Sequence, residues 1–216
     1  NGEGEATANI QLCTAHWYGG NREQSCENTV KSVKKLLGGI QIDGYYELNM
    51  SEIPKLNNMV DGVTVTLEDD FSKKYPKMKK GATINLDDEQ AYAYVHDRYG
   101  VGDEENTSRM KRQQQYMTGF FKKLQEKVKA NPNYANEVFE SLQDVSTTDI
   151  TIGKISNVSN IFASGTDKGI FELAGKSKIG QALGDEIDHM EFYVNKKAMV
   201  STMSELFGIV EQKNKE

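Results

Sequence analysis

Residues 86 to 117 read LDDEQAYAYVHDRYGVGDEENTSRMKRQQQYM, two helices joined by a glycine-bearing loop. The first helix is predicted over Leu86 to Val95, with Asp87-Asp88-Glu89 placed where the positive end of a helix dipole favours acids. The polar loop His96 to Glu105 carries Gly100 and Gly102 and ends in three acids. Asn106 or Thr107 can then cap a long helix running to about Ala130, where Asn131-Pro132-Asn133 ends it.

At about 100° per residue, Met110, Met117, Phe120, Phe121, Leu124 and Val128 line up as one apolar stripe, the predicted core face of the long helix. Gln113 projects inside that stripe, Arg109 lies at its edge, and Lys111 and Arg112 point progressively away. Polar groups beside a buried face need partners, since each one left unpaired costs roughly 1–3 kcal/mol. The cations pose a second problem. Arg109, Lys111 and Arg112 crowd the first turns, where the dipole favours negative groups by roughly 0.3–1 kcal/mol each. An anion held by the N-terminal amides and Arg109, with Arg98 reaching in from the loop, would resolve this. So would neutralisation by Asp103, Glu104 and Glu105, and the residues alone leave both open. The chain has 22 lysines and four arginines, and Arg98, Arg109 and Arg112 fall in one window of 15 residues. The planar donor fork of arginine suits phosphate, which gives that clustering a chemical sense.

Working outward, Ser25 to Leu37 has helical apolar spacing and is stopped by Gly38-Gly39. A strand is predicted over Ile40 to Leu48, a short helix over Ser51 to Met59, and an alternating strand over Val63 to Leu67. Pro76 and Gly81 punctuate a loop. Beyond Pro132 the pattern predicts helices over Asn133 to Leu142, Ile152 to Phe162 and Lys196 to Phe207, with strands near Ile170 to Leu173 and Glu191 to Val194. Strands alternating with helices imply an α/β layered fold.

A chain of 216 residues suffices for one sizeable core, and no linker or repeat divides it. One domain is therefore expected over 10–208, between a polar arm at 1–9 and a loose tail at 209–216. The arm has neither a signal-peptide pattern nor a starting methionine. A mean hydropathy of -0.64 leaves no room for a membrane span, and a net charge of -6 argues against non-specific nucleic-acid binding. No P-loop, HExxH or GxSxG occurs, and His16, His96 and His189 are too far apart in sequence to suggest a metal site by spacing. A lone histidine such as His16 is ordinarily a packed or capped residue.

The stretch 86–117 resembles the signature of the LytR-CpsA-Psr family, in which L-x-x-x-x-A-x-x-[YF]-V leads into an R-x-R pair, an Asp, and then R-x-x-R-Q. Upstream, QLCTAHWYGG, SCENTVKSVKKLL, IDGYYELNM and VDGVTVTLEDD follow that family's order, so the resemblance runs from about residue 10 to 130. It thins beyond residue 145, although EFYVNKKAM and the last helix look like the family's closing strand and helix.

The resemblance implies a three-layer α-β-α sandwich around a central mixed β-sheet, with the N-terminal part of the domain lying upstream of this chain. It also implies a phosphotransferase that moves a cell-wall glycopolymer, such as teichoic acid or capsular polysaccharide, from a polyprenyl-pyrophosphate carrier to peptidoglycan. The setting is the outer face of the membrane or the cell wall of a Gram-positive bacterium. Arg98 and Arg109 would contact the pyrophosphate and stabilise charge, with Gln113 as a further ligand and Asp103 in the same polar cluster. His96 stands where the family has the first arginine of R-x-R, so that contact would titrate near neutral pH. Glu104 to Ser108 is an insertion relative to the pattern. Magnesium is the implied cofactor, its acidic ligands expected in the upstream part together with a membrane anchor, and this chain alone is then expected to lack transfer activity. A complementary N-terminal part of the same domain would be a partner. A non-catalytic binder of polyprenyl-pyrophosphate-linked glycans is the alternative, whereas transcription regulation sits badly with an acidic chain lacking a DNA-reading helix.

Two cysteines, Cys13 and Cys26, permit a disulfide without demanding one. The extracellular setting implied by the resemblance favours a bond tying the segment ending in Tyr18-Gly19-Gly20 to the following helix. Thiol titration of denatured, unreduced protein is expected to find no free thiol. Two reactive thiols would rule the bond out.

Overall fold

Asp87 opens the first helix of the quoted stretch with a reciprocal cap. Its carboxylate accepts the Gln90 N–H at 2.9 Å, and its own N–H donates to Gln90 Oε1 at 3.2 Å. The cap thereby pairs an N-terminal donor that the helix itself leaves without a partner. The computed structural model describes residues 12–181 and 186–208, without the side chain of Cys13. The expected Cys13–Cys26 bond, the polar arm and the tail from residue 209 therefore lie outside the described residues.

The elements in order are α1 (Arg22–Leu36), β1 (Tyr46–Leu48), α2 (Ile53–Met59), β2 (Thr64–Thr66), β3 (Thr83–Asn85), α3 (Asp88–His96) and α4 (Asn106–Ala130). They continue with α5 (Tyr134–Ser141), β4 (Ser146–Thr148), α6 (Ile152–Ser164), β5 (Gly175–Gly180), β6 (His189–Val194) and α7 (Lys196–Phe207). Where the sequence predicts one domain over 10–208, the contacts group residues 46–170 into one compact unit and the flanking segments into another. No helix among the described residues is long and apolar enough to cross a membrane.

The α/β class expected from the sequence is the one observed. Its strands pair antiparallel as β1–β4, β2–β3 and β5–β6, three two-stranded ribbons among the described residues in place of a continuous central mixed sheet. Strands β1 to β4 are three residues each, long enough to hold one partner in register, such as Tyr46↔Thr148 or Val65↔Ile84. The strand predicted over Ile40 to Leu48 shortens to its last three residues, those that β4 faces. Strands β3 and β4, TIN and STT, are too short and polar to show an alternating pattern and escape a reading by periodicity. The strand expected near Ile170 lies instead at Gly175–Gly180, opposite β6.

In the flanking unit, Asn21 caps α1 by accepting the Gln24 N–H at 2.8 Å. Gly38 and Gly39, with φ of 76° and 89°, end it as the sequence indicates. Asn195 caps α7 by accepting the Ala198 N–H at 3.1 Å.

The core of residues 46–170 is built on β2. Val63, Val65 and Leu67 are buried while Thr64 and Thr66 between them face solvent, the period-two pattern of a strand covered on one face. Phe71, Met78, Leu86, Ala91, Tyr94, Val95, Val101 and Tyr116 complete it. Helix α4 crosses β2 closely at Gly119, where an added Cβ would sit 2.6 Å from Val63 Cγ1. The face that α4 buries differs from the predicted stripe: Arg112, Tyr116 and Val128 are buried, and Phe120 and Leu124 pack on the core. Met110, Met117 and Phe121 stay about half exposed. On a helical wheel the buried face is turned by roughly 60° from the apolar stripe, with Phe120, Leu124 and Val128 common to both. Tyr116 and the neutralised Arg112 decide it, not the methionines.

Asn57 in α2 is the polar pin of this core. Its amide nitrogen donates to the Leu86 carbonyl at 2.9 Å and to Asp88 at 3.2 Å, and its oxygen accepts from the Val63 N–H at 3.1 Å and Tyr116 O–H at 3.3 Å. One side chain thus joins α2, β2, α3 and α4. Asn57→Ala is expected to cost roughly 2–6 kcal/mol, because two backbone groups lose their buried partner. Asn58→Ala, at an exposed site, is expected to stay within about 0.5 kcal/mol. Urea unfolding of both variants checks the contrast.

Candidate functional site

The loop between α3 and α4 and the first turns of α4 form a joint that brings most of the sequence-predicted site residues onto one piece of backbone. Arg112, 3% exposed, fills its centre. Its Nε donates to the Tyr94 carbonyl at 3.0 Å, one terminal nitrogen to the Asp97 carbonyl, and the other to the Asp69 carboxylate. Its guanidinium carbon lies 5.3 Å from the centroid of the Phe71 ring. One residue further, Gln113 Nε2 donates to the Val95 carbonyl at 3.0 Å. Three carbonyls at the end of α3 are thus satisfied by two side chains of α4.

Arg98 and Arg109 both leave from this joint. Arg98 follows Asp97, whose carbonyl Arg112 holds, and Arg109 lies one helical turn before Arg112 and Gln113 on α4. On the helical wheel Arg109 falls within about 60° of Arg112, so it prolongs the buried face past the last core residue. One terminal nitrogen of Arg109 donates to Asn106 Oδ1 at 2.6 Å. Arg98 donates to the Tyr99 hydroxyl and lies over that ring, 4.4 Å from its centroid. The Nε of each arginine is shielded from solvent and has no hydrogen-bond partner among the described residues. Neither arginine forms an ion pair there, and Asp97, Asp103 and Glu104 of the loop are engaged elsewhere.

Asp103 accepts the Glu105 N–H at 2.9 Å and the Ser108 hydroxyl at 2.8 Å. The Glu105 N–H above all, then Ser108, holds this carboxyl below its usual range. The cap position of α4 is Glu105, just before the Asn106 or Thr107 that the sequence assigned, and its side chain accepts no helix N–H; Asp103 instead ties the turn leading into α4 to Ser108. Glu104 accepts the Gly100 N–H at 2.8 Å. The neutralisation of Arg98 and Arg109 by these acids, which the sequence left open, does not occur in this arrangement. His96, with a half-exposed side chain, stacks on Tyr92 at 4.8 Å and turns Nδ1 to Asp97 Oδ1 at 3.2 Å. Asp97 also meets Lys74 at 3.4 Å, an exposed lysine whose pKa that carboxylate raises.

Sequence reasoning missed Asp69 and the burial of Arg112. Asp69 is visible as one of the acids in LEDD just after β2, but only the fold brings it to a residue 43 positions away. Magnesium prefers several oxygen ligands with charge to spare. The carboxylates of this joint do not offer that set, because Asp69, Asp97 and Asp103 are committed to Arg112, to Lys74 and His96, and to the Glu105 N–H and Ser108 hydroxyl.

Comparison with solved structures places the fold. A transcriptional regulator from Enterococcus faecalis, EF0465, aligns at a TM-score of 0.70 and 20% identity over 93% of this chain and 70% of that one. TagV from Bacillus subtilis aligns at 0.67 and 20% identity over 94% and 77%. TagT bound to LI-WTA aligns at 0.63 and 19% identity over 90% and 69%. No curated protein sequence matches this chain. The family model for the LytR_cpsA_psr family matches residues 2–207, taking in both compact units and not only residues 10 to 130, where the resemblance is densest. The chain therefore belongs to the LytR_cpsA_psr family.

Proposed function

We propose that the joint between α3 and α4 binds the pyrophosphate of a polyprenyl-linked cell-wall glycopolymer, and that the protein transfers the glycan-bearing phosphoryl group to peptidoglycan. The observation that carries this reading is the pair Arg98 and Arg109. Two guanidiniums leave one short joint with no carboxylate partner, and each has a buried, unpaired Nε–H. An oxyanion with several lone pairs is the complementary group. Family membership and the likeness to TagV and to TagT bound to LI-WTA support a cell-wall glycopolymer as what that anion carries.

In the proposed reaction a hydroxyl of the acceptor glycan attacks the phosphorus next to the donor sugar. The new P–O bond forms as the bond to the bridging oxygen breaks, the hydroxyl proton passes to solvent or the leaving phosphate, and polyprenyl phosphate departs. Arg98 and Arg109 stabilise charge on the transferring and leaving oxygens. Gln113 can add its second N–H, the first being held by Val95. With Nδ1 turned to Asp97, His96 offers Nε2 to a phosphate oxygen. An apolar band on α4 begins beside Arg109: Met110, Met117 and Phe121 are about half exposed, fall within about 40° on the wheel, and continue to Phe162 of α6, 6.5 Å from the Phe121 ring. Such a band suits an isoprenoid tail.

The committed carboxylates at the joint favour a second reading, a lipid-glycan binder without transfer activity. Release of polyprenyl phosphate from a lipid-linked glycan, in the presence of peptidoglycan, separates the two.

Binding of farnesyl pyrophosphate and of inorganic pyrophosphate, measured by calorimetry, tests the site. Arg98→Ala and Arg109→Ala are each expected to weaken both ligands by more than about tenfold, and Gln113→Ala by less. Met117→Glu is expected to weaken only the farnesyl compound. Unchanged affinities in both arginine variants would refute the site.

A further inference from the structure

We infer that the buried Asp69–Arg112 pair is the positioning device of this site, fixing the loop from which Arg98 projects; the consequence for ligand rests on the pyrophosphate reading above. The loop from Asp97 to Glu105 needs outside support. It contains Gly100, Gly102 and Glu104 at φ of 74°, 55° and 61°, and a left-handed glutamate is a conformation that the surroundings must hold in place. Two contacts hold the loop from beneath. Arg112 grips the Asp97 carbonyl at its start, and Gly102 lies against Asp69, so closely that an added Cβ would be 2.7 Å from the Asp69 carboxyl carbon. The same carboxylate neutralises Arg112. Asp69 thus meets the loop on one side and the guanidinium on the other, and Arg112 ties both to the end of α3. Val101, buried between the two glycines, packs with the core beside them. The Gly100 N–H to Glu104 contact at 2.8 Å and the Glu104 N–H to Val101 carbonyl contact at 3.1 Å then close the loop on itself.

The arrangement gives Arg112 a role through geometry and not through ligand contact. All three of its donor directions are used internally, and almost none of its surface is open. Lysine would keep the charge but could not reach two carbonyls and a carboxylate in fixed directions, so Arg112→Lys removes the fork alone. Gly102→Ala keeps both charged residues and disturbs the same lock from the loop side, by pressing a Cβ onto the Asp69 carboxylate and by straining a backbone at positive φ.

The test uses the full chain with Arg112→Lys, Asp69→Asn and Gly102→Ala. Amide hydrogen exchange without ligand is expected to show loss of protection by about tenfold or more over residues 98–105, centred on the Gly100 amide, with α2 and the α4 turns from Tyr116 to Val128 unchanged. Farnesyl pyrophosphate affinity is expected to fall about tenfold in each variant, and adding Arg98→Ala is expected to cost less than about twofold more, because the two changes remove one contribution. Unchanged loop protection in Gly102→Ala, or full additivity with Arg98→Ala, overturns the inference. Should Arg112→Lys fail to fold, Gly102→Ala decides. If wild type fails to bind farnesyl pyrophosphate, the functional reading falls, and loop protection still decides the positioning role.

Discussion

A guanidinium removed from water must be matched by acceptors in several fixed directions at once, and Arg112 is matched by two main-chain carbonyls at the end of α3 and by one carboxylate from the segment after β2. Desolvating such a pair costs several kcal/mol, which attraction in the interior recovers only when the geometry is good and the remaining donors are also paired. Those conditions are met by α3 ending at His96, by the segment after β2 placing Asp69 alongside, and by α4 turning Arg112 inward. The placement of α4 follows from this as much as from apolar burial. Its core face begins at Arg112, passes through Tyr116, and continues to Phe120 and Leu124.

The hydrogen bonds of Asn57 serve the other end of the same packing. Asn57 joins Leu86 and Asp88, at the start of α3, to Val63 and to Tyr116 of α4. Arg112 joins the end of α3 to the first turns of α4. Helix α3 is therefore fixed at both tips by polar side chains, with Ala91, Tyr94 and Val95 buried between. Tyr94 links the two ends to the strand: its hydroxyl donates to Gln115, whose amide reaches the Thr66 carbonyl at 3.2 Å, and burial raises the phenol's pKa so that it stays a donor.

A rigid α3–α4 joint has a functional sense. Phosphate recognition by arginine gains from fixed direction, since side chains that must be ordered on binding cost roughly 0.5–1.5 kcal/mol each. Arg98 on its tyrosine ring and Arg109 on Asn106 are partly ordered before any ligand arrives. Asp97, Asp103 and Glu104, which could have competed for them, are held by Lys74 and His96 and by the turns of the loop, and neither guanidinium has a carboxylate partner among the described residues.

The sequence by itself determined the helices of 86–117, their boundaries, the arginine cluster and the family pattern, because caps, breakers and motif spacing are local properties. Asp87, Gly38-Gly39 and Asn131-Pro132 act on the residues beside them, and the elements fall where they indicate. Only the tertiary structure decided which face of α4 is buried, which arginine is structural, and how the strands pair. The apolar stripe pointed to Met110 and Met117, yet a neutralised arginine and a tyrosine took the interior, since a charge can be buried when a partner from 43 residues away meets it. Likewise β1 pairs with β4 across about a hundred residues. The three polar residues of β4 carry no periodicity to announce such a partner, because their pairing is set by what the rest of the chain brings alongside.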